Sequence, residues 1–191
     1  MEKPIQKRTL ATRAKLIAAG EAIVSEGGFD ALRVEEVVSR AGVAKGTFFA
    51  HFRDKDALME RLIGARLDSI LDALSEVPAP ATIDAMVDEM LPMLQFMVSE
   101  RYVFDMILRY SGAALIDDIG PIGMCIGRHE TVVMGWLNAD GLRRDVAPKI
   151  LAEGIQAFVF QTLALHFCAL HSDIAIQSRL RSYLKPWLLA H

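Results

Sequence analysis

The side chains with the most evident chemistry lie between Arg33 and Lys55, around two short apolar segments that a glycine separates. Lys45 can bind a phosphate oxygen or the acceptor atoms of guanine, and Thr47 can bind a phosphate or contact a thymine methyl group. His51 can donate a hydrogen bond to a phosphate oxygen. These groups together suit a surface that binds a nucleic-acid duplex.

The same segment has the pattern of a helix-turn-helix. Gly42 permits a tight turn between two short helices, and Phe48 and Phe52 share one face of the second helix. The first helix would bury Val34, Val37, Val38 and Ala41, and the second would leave Lys45, Thr47, Phe49 and His51 outside. The first turn of a recognition helix contacts bases and phosphates. A plain helical hairpin with solvated lysines would show this pattern too, so the motif alone leaves that alternative open.

The charge distribution divides the chain. Residues 1–67 contain 12 Lys and Arg against 9 Asp and Glu, whereas the remainder contains 9 against 15. A basic first third joined to an acidic remainder favours contact with a polyanion through the first part only. An excess this small also arises by chance.

The composition is that of a globular protein. Of 191 residues, 52% are apolar and 24% are charged, which excludes a disordered polymer. Two cysteines in apolar surroundings predict a reducing cytoplasm and no disulfide framework. The chain start lacks the apolar region of a signal peptide. Leu151–Leu170 contains Glu153 and His166 and is interpreted as a buried helix, not a membrane span.

Helical periodicity recurs throughout and strand-like alternation does not, so the sequence predicts an all-α fold. Thr12 and Asp145 are predicted to cap helices, Gly27-Gly28 to end the first helix, and Pro186 to disturb the last. The predicted helices span about 12–26, 34–40, 45–51, 54 onward, 82–99, 102–110, 121–138, 146–170 and 173–185.

A longer run of residues extends the motif on both sides. It comprises Thr12-Arg13, Leu16 to Ala19, Ile23-Val24, Glu26 to Phe29, Val34, Val37, Ala41 to Thr47, His51-Phe52 and Lys55 to Leu58. This run closely resembles the N-terminal domain of the TetR/AcrR family of transcriptional regulators, over about residues 9–65. The resemblance implies that DNA contacts come from Arg33, Ala44, Lys45, Gly46, Thr47, Phe49, His51 and Lys55.

Three positions depart from the family pattern. Ala44 stands where serine or threonine is common, so the usual capping bond of the recognition helix is missing. Phe49 stands where tyrosine is common and offers packing or sugar contacts without a hydroxyl. Ala50 lies where longer polar residues are frequent. The surface therefore has fewer donors than is usual for the family.

The resemblance also implies the domain organisation and the partners. Residues 1–53 would form a three-helix DNA-binding domain, and residues 54–191 a larger helical domain for effector binding and dimerisation. Two copies would place their recognition helices in successive major grooves of a palindromic operator. No cofactor, metal site or catalytic set is predicted, and His166, Cys168 and His171 cannot share one ion on a helix.

The last two long helices are the predicted dimer interface. The first of them, about 146–170, is apolar on several faces and needs cover beyond its own domain, which favours a homodimer. A helix buried wholly within its own chain is the alternative. The predicted interface residues are Ile155, Phe158, Val159, Leu163, Leu180 and Tyr183.

A stripe of methionines suggests an adaptable small-molecule cavity. Met86, Met90, Met93 and Met97 recur at helical spacing, and methionine adapts to varied ligands. Plain core packing is the alternative. The predicted ligand contacts are Met90, Met93, Met97, Phe104, Met124 and Trp136, and the expected effector is apolar or aromatic.

The sequence thus predicts a cytoplasmic, ligand-responsive repressor that a small effector releases from DNA. An all-helical enzyme or a protein-binding adaptor could keep the N-terminal pattern as a packing unit, and both remain as alternatives.

Overall fold

The computed structural model describes residues 4–111, 119–139, 141–171 and 173–189, and these form nine α-helices. The predicted all-α fold is confirmed. The chain divides into two compact units, Met1–Ala65 and Arg66–His191. The sequence-based division at residue 53 concerns function and stays a prediction.

The first unit contains α1 (Pro4–Gly27), a short 3-10 helix (Phe29–Ala31), α2 (Val34–Ala41), α3 (Lys45–Phe49) and the start of α4 (Lys55–Ser75). Gly28 follows α1 with a φ of 79°, so the predicted glycine stop is correct. The predicted cap at Thr12 is wrong because α1 begins at Pro4. Thr12 Oγ1 instead donates to the Arg8 carbonyl oxygen at 3.0 Å, as threonine within a helix can.

The turn between α2 and α3 is a glycine-dependent helix end. Gly42 has a φ of 66°, its N–H donates to the Ser39 carbonyl, and the Val43 N–H donates to the Val38 carbonyl. This pair of bonds satisfies carbonyls that the end of α2 would leave open. Gly42 therefore fixes the direction in which the chain enters α3.

The second unit contains the rest of α4, then α5 (Ile83–Met97), α6 (Arg101–Tyr110), α7 (Pro121–Trp136), α8 (Pro148–His166) and α9 (Ile176–Leu188). Thr82 caps α5 by accepting from the Ala85 N–H at 3.1 Å. The predicted cap at Asp145 is wrong, because α8 begins at Pro148 and Asp145 pairs with Arg143 at 2.6 Å.

Pro186 does not end α9, contrary to the prediction. The helix continues to Leu188, and Pro186 occupies its last turn, where the missing N–H removes a single helix bond. The predicted start of this helix near Asp173 is also too early, since α9 begins at Ile176.

The core of the second unit surrounds α8. Its residues Leu151, Ile155, Val159 and Leu163 are at most 2% exposed. The four methionines of α5 and the leucines of α9 are buried too: Met86, Met90, Met93, Met97, Leu180, Leu184 and Leu188. None of the helices within the described ranges has the length and hydropathy that crossing a membrane requires.

Two glycine-to-alanine substitutions should change stability in opposite directions. Gly42→Ala should lower the free energy of unfolding by about 1 kcal/mol, because alanine is strained at a φ of 66°. Gly46→Ala lies within α3, its Cβ would meet nothing within 4 Å, and it should stabilise by up to about 1 kcal/mol. Urea unfolding measures both. Equal effects of the same sign would refute this account of the turn.

Candidate nucleic-acid interface and cavity

Helix α3, the predicted recognition helix, is held by aromatic packing. Phe48 is fully buried and Phe52 is 2% exposed, and their ring centroids lie 5.5 Å apart. The Arg13 guanidinium lies 4.5 Å from the centre of the Phe52 ring, and Arg13 Nη1 donates to the His51 carbonyl at 2.7 Å. The predicted anchoring face of α3 is therefore the buried one.

The opposite side of α3 carries the predicted DNA contacts. Lys45 and Gly46 are exposed, Phe49 is 49% exposed, and Thr47 and His51 are half-buried. Ala44 precedes the helix without a side-chain capping bond, as alanine must. The structure thus brings five of the predicted residues, from Lys45 to His51, onto one short segment whose inner face is fixed.

Arg33 and Lys55 lie outside that segment. Arg33 precedes α2 and donates to the carbonyls of Asp30 and Leu32, at 2.5 and 2.9 Å, so it holds the 3-10 helix in place. Lys55 is the first residue of α4 and is half-buried. Their assignment to DNA contacts stays a prediction.

A polar groove extends the surface toward the start of α1. It has a volume of about 430 Å³ and is lined by Arg8, Thr9, Thr12, Val43, Ala44, Thr47 and His51. Sequence reasoning missed Arg8 and Thr9 because it started α1 at Thr12. The four-residue spacing of Arg8 and Thr12, which places both on one helix face, could have extended the helix and found them.

Lys45 and Arg40 are paired with neighbouring carboxylates. Lys45 Nζ lies 2.5 Å from Glu35 Oε1, and this hydrogen bond holds the pKa of Glu35 below its usual value. Arg40 bridges Glu26 and Glu36 at 2.7 Å each. The pKa of Glu26 is lowered by its hydrogen bond to Arg40. A phosphate that binds Lys45 must compete with Glu35.

The second unit contains a small, partly open cavity. Its walls come from α4, α5, α7 and α8: Leu67, Leu71, Met93, Met97, Cys125, Ile126, His129, Gln156, Val159 and Phe160. The centre of a water molecule can occupy only about 10 Å³ of it. Met93 and Met97 thus lie at the cavity, as predicted ligand contacts would. Met90, Phe104 and Trp136 are buried away from its lining, and Met124 is 62% exposed.

Sequence reasoning missed His129, the most unusual group in this cavity. It is 3% exposed, and its Nε2 has no hydrogen-bond partner among the described residues. Burial lowers its pKa to about 4, so the imidazole is neutral at pH 7. Burial likewise raises the pKa of Cys125 to about 11, which keeps the thiol protonated. The helical spacing of Ile122, Cys125, His129 and Val133 could have revealed this inward stripe.

Four of the predicted dimer residues are buried, and the dimer interface itself stays a prediction. Ile155, Val159, Leu163 and Leu180 are at most 2% exposed within a single chain, so they have no surface to offer a partner. Phe158 and Tyr183 are half-buried and stack on each other with centroids 5.3 Å apart. The apolar face of α8 that periodicity identified is the one that packs inside its own unit.

A different stripe of α8 remains exposed. Ile150, Ala157, Gln161 and Ala164 recur at spacings of seven, four and three residues and are all exposed. Such a pattern is typical of helices that pack side by side. Gly154 lies on the same stripe but is covered, since a Cβ there would come within 2.5 Å of the Trp187 ring.

Comparison with known proteins identifies the first unit. Residues 16–62 match the model of a family described as bacterial regulatory proteins, tetR family. The first unit is therefore similar to the tetR family over these residues. A relative, the uncharacterized HTH-type transcriptional regulator YvdT of Bacillus subtilis (strain 168), is 32% identical over 114 residues. This match covers 57% of the chain and 56% of YvdT, so the chain spans little more than half the length of that relative.

Solved structures share the fold over nearly the whole chain. Thermus thermophilus FadR, a TetR-family repressor in complex with lauroyl-CoA, superposes with a TM-score of 0.64 at 14% identity and 92% coverage of both chains. RolR in complex with resorcinol gives a TM-score of 0.69 at 15% identity, covering 97% of this chain and 91% of its own. At such identities the likeness establishes a shared fold.

The buried imidazole should make this protein sensitive to acid. The pKa of His129 is about 4 in the folded state against 6.5 when unfolded, so the unfolded chain binds more protons between these values. Stability from this residue is complete above pH 6.5 and falls by roughly 3 kcal/mol as the pH drops toward 4.

His129→Leu should remove this part of the pH dependence in denaturant unfolding measured between pH 7 and 4. The exposed His171 provides the control, because His171→Gln removes a histidine without changing the buried core. An unaltered slope in His129→Leu would contradict the burial of a neutral imidazole.

Proposed function

We propose that this protein is a ligand-responsive transcriptional repressor that binds a palindromic operator as a homodimer and releases it when a small apolar or aromatic effector binds. One observation carries the proposal. The outward side chains of α3 lie on a fixed, exposed segment, next to a polar groove, in the unit that matches the tetR family.

The DNA-binding step rests on Lys45, Thr47, His51 and their neighbours. Lys45 supplies a cation at the first turn of α3, and Thr47 and His51 supply polar groups on the wall of the groove. Arg8 adds a second cation to the lining of this groove. A major groove about 12 Å wide admits one helix, so α3 enters it while α1 follows the phosphates.

Homodimerisation rests on the exposed stripe of α8 together with Phe158 and Tyr183. Ile150, Ala157 and Ala164 leave an apolar surface on a long helix, and a two-fold axis lets the same patch cover itself. Two copies related in this way read two halves of a palindrome. The proposal includes the cytoplasmic location expected from the sequence, since the protein must reach the DNA.

Effector control rests on the cavity of the second unit. Space for about one water molecule is too little for any organic effector, so binding requires the surrounding side chains to move apart. An effector of this kind has a higher affinity for the opened state than for the closed one, which is the condition for shifting a population. FadR and RolR were solved with lauroyl-CoA and resorcinol, which supports small-molecule binding in this fold.

Opposite charge changes at one ion pair should change DNA affinity in opposite directions. Lys45→Ala should weaken binding to the DNA that flanks the protein's own gene by more than tenfold at fixed salt, because a phosphate or guanine contact is lost. Glu35→Gln should strengthen it, because Lys45 is released from its carboxylate partner. Fluorescence anisotropy with labelled duplexes at several salt concentrations measures both effects.

Two variants control for the general effect of charge. Glu36→Gln makes the same charge change but leaves the Lys45 pair intact, since Glu36 pairs with Arg40. Lys149→Ala removes an exposed lysine of α8 in the other unit. The interface assignment fails if Lys45→Ala behaves like Lys149→Ala, and the repressor proposal fails if wild-type binding to DNA is absent or independent of salt.

A charge on the exposed stripe of α8 should separate the two copies. Ala157→Asp places a carboxylate next to its own symmetry mate or against an apolar surface, so sedimentation at micromolar concentration should shift from dimer toward monomer. Ala79→Asp lies in the exposed loop before α5 and should sediment like the wild type. A wild-type protein that sediments as a monomer would rule out the dimer.

A further inference from the structure

His129 is the one side chain of the cavity lining whose buried polar atom lacks a partner among the described residues. It lies in the middle of α7, and its side chain is buried, with 3% exposure. Leaving a buried nitrogen without a hydrogen bond has a cost in free energy. A group that enters the cavity and bonds to Nε2 recovers that energy, whereas an apolar group does not.

The protonation of His129 decides which group suits it. The lowered pKa means that the ring is neutral at pH 7, so it has one N–H donor and one acceptor nitrogen. A hydroxyl group can donate and accept, and it therefore pairs with Nε2 in either tautomer. A carboxylate would enter the cavity as an unpaired charge, because neutral His129 cannot balance it, and burying such a charge is costly.

The other walls decide the shape and polarity of the remainder of the ligand. Leu67, Leu71 and Val159 present aliphatic surface, and Met93 and Met97 have unbranched thioether chains that can change rotamer to make room. Gln156 is already fixed, since its Nε2 donates to the Ile126 carbonyl at 3.0 Å. The small size of the cavity favours a compact ligand over a long one.

We propose that His129 is the polar anchor of this cavity and that it selects compact, uncharged ligands with a hydroxyl group on an apolar body, of which phenol is the simplest probe. The role of such a ligand as an effector rests on the proposed repressor function. The binding itself does not, because it needs only the second unit.

The test compares phenol with toluene, which replaces the hydroxyl by a methyl group of similar size, and with benzoate, which carries a charge. Binding to the full-length protein without DNA is measured by calorimetry at pH 7. Phenol should bind the wild type at least about tenfold more tightly than toluene, as the loss of one bond to a buried polar group predicts. Benzoate should bind more weakly than phenol by a similar factor or more.

Two variants assign the preference to His129. His129→Leu removes the polar atom and should bind phenol and toluene with nearly equal affinity, and thermal unfolding at pH 7 verifies that it folds. His129→Gln retains a donor and an acceptor and should keep a preference for phenol. Equal binding of phenol and toluene by the wild type, absence of phenol binding at millimolar concentration, or an unchanged preference in His129→Leu would overturn the proposal.

Operator binding in the presence of phenol separates this proposal from the proposed function. Phenol that binds through His129 without weakening operator binding leaves the anchor intact and removes its role as effector. Operator binding by a protein that shows no preference for phenol leaves the repressor intact and refutes the anchor.

Discussion

The position of α3 and the direction of its side chains depend on the burial of two phenylalanines. A helix of five residues has no stability of its own, so α3 exists because Phe48 and Phe52 are packed beneath it. Since Phe48 must point inward, the positions around it have a fixed direction, and Lys45, Thr47 and Phe49 are left at or near the surface. Gly42 forms the turn that leads into α3. Arg13 fixes the other end of this segment by its hydrogen bond to the His51 carbonyl.

The second unit combines close packing around α8 with side chains at the cavity that can change their conformation. Its central helix α8 is covered by apolar residues from its neighbours, so there is little spare volume. The walls that border the remaining space include methionines, whose side chains rearrange more easily than branched ones. Without a ligand the cavity stays small. It can enlarge around a ligand only if the new contacts offset the free-energy cost of moving the packed side chains apart.

Local signals in the sequence predicted much of the fold. Glycine and proline change the backbone conformations available at their own positions. The helix boundaries predicted at Gly27-Gly28, Gly42 and Pro121 therefore agree with the structure. The predicted caps at Thr12 and Asp145 are wrong because these side chains can form other hydrogen bonds or ion pairs just as well. Thr12 bonds within α1, and Asp145 binds Arg143.

Periodicity showed which residues are buried but not what covers them. In α8 it identified Ile155 and Leu163, which pack inside their own unit, and passed over Ala157 and Ala164, whose small side chains carry a weak hydrophobic signal. A lone histidine among apolar residues resembles ordinary core, so His129 became notable only when its nitrogen was found without a partner. The DNA contacts inferred from family resemblance stay predictions, and the structure adds the groove that α1 contributes.

The pairing of Lys45 with Glu35 would lower the affinity of a regulator for DNA of unrelated sequence. A lysine that already has a carboxylate neighbour gains less from any random phosphate than a lysine surrounded by water. Encounters with unrelated sequence would then be brief, and long residence would require the additional base contacts of the right site. In the proposed repressor, this ion pair would shorten the search for the operator by reducing the time spent at unrelated sequences.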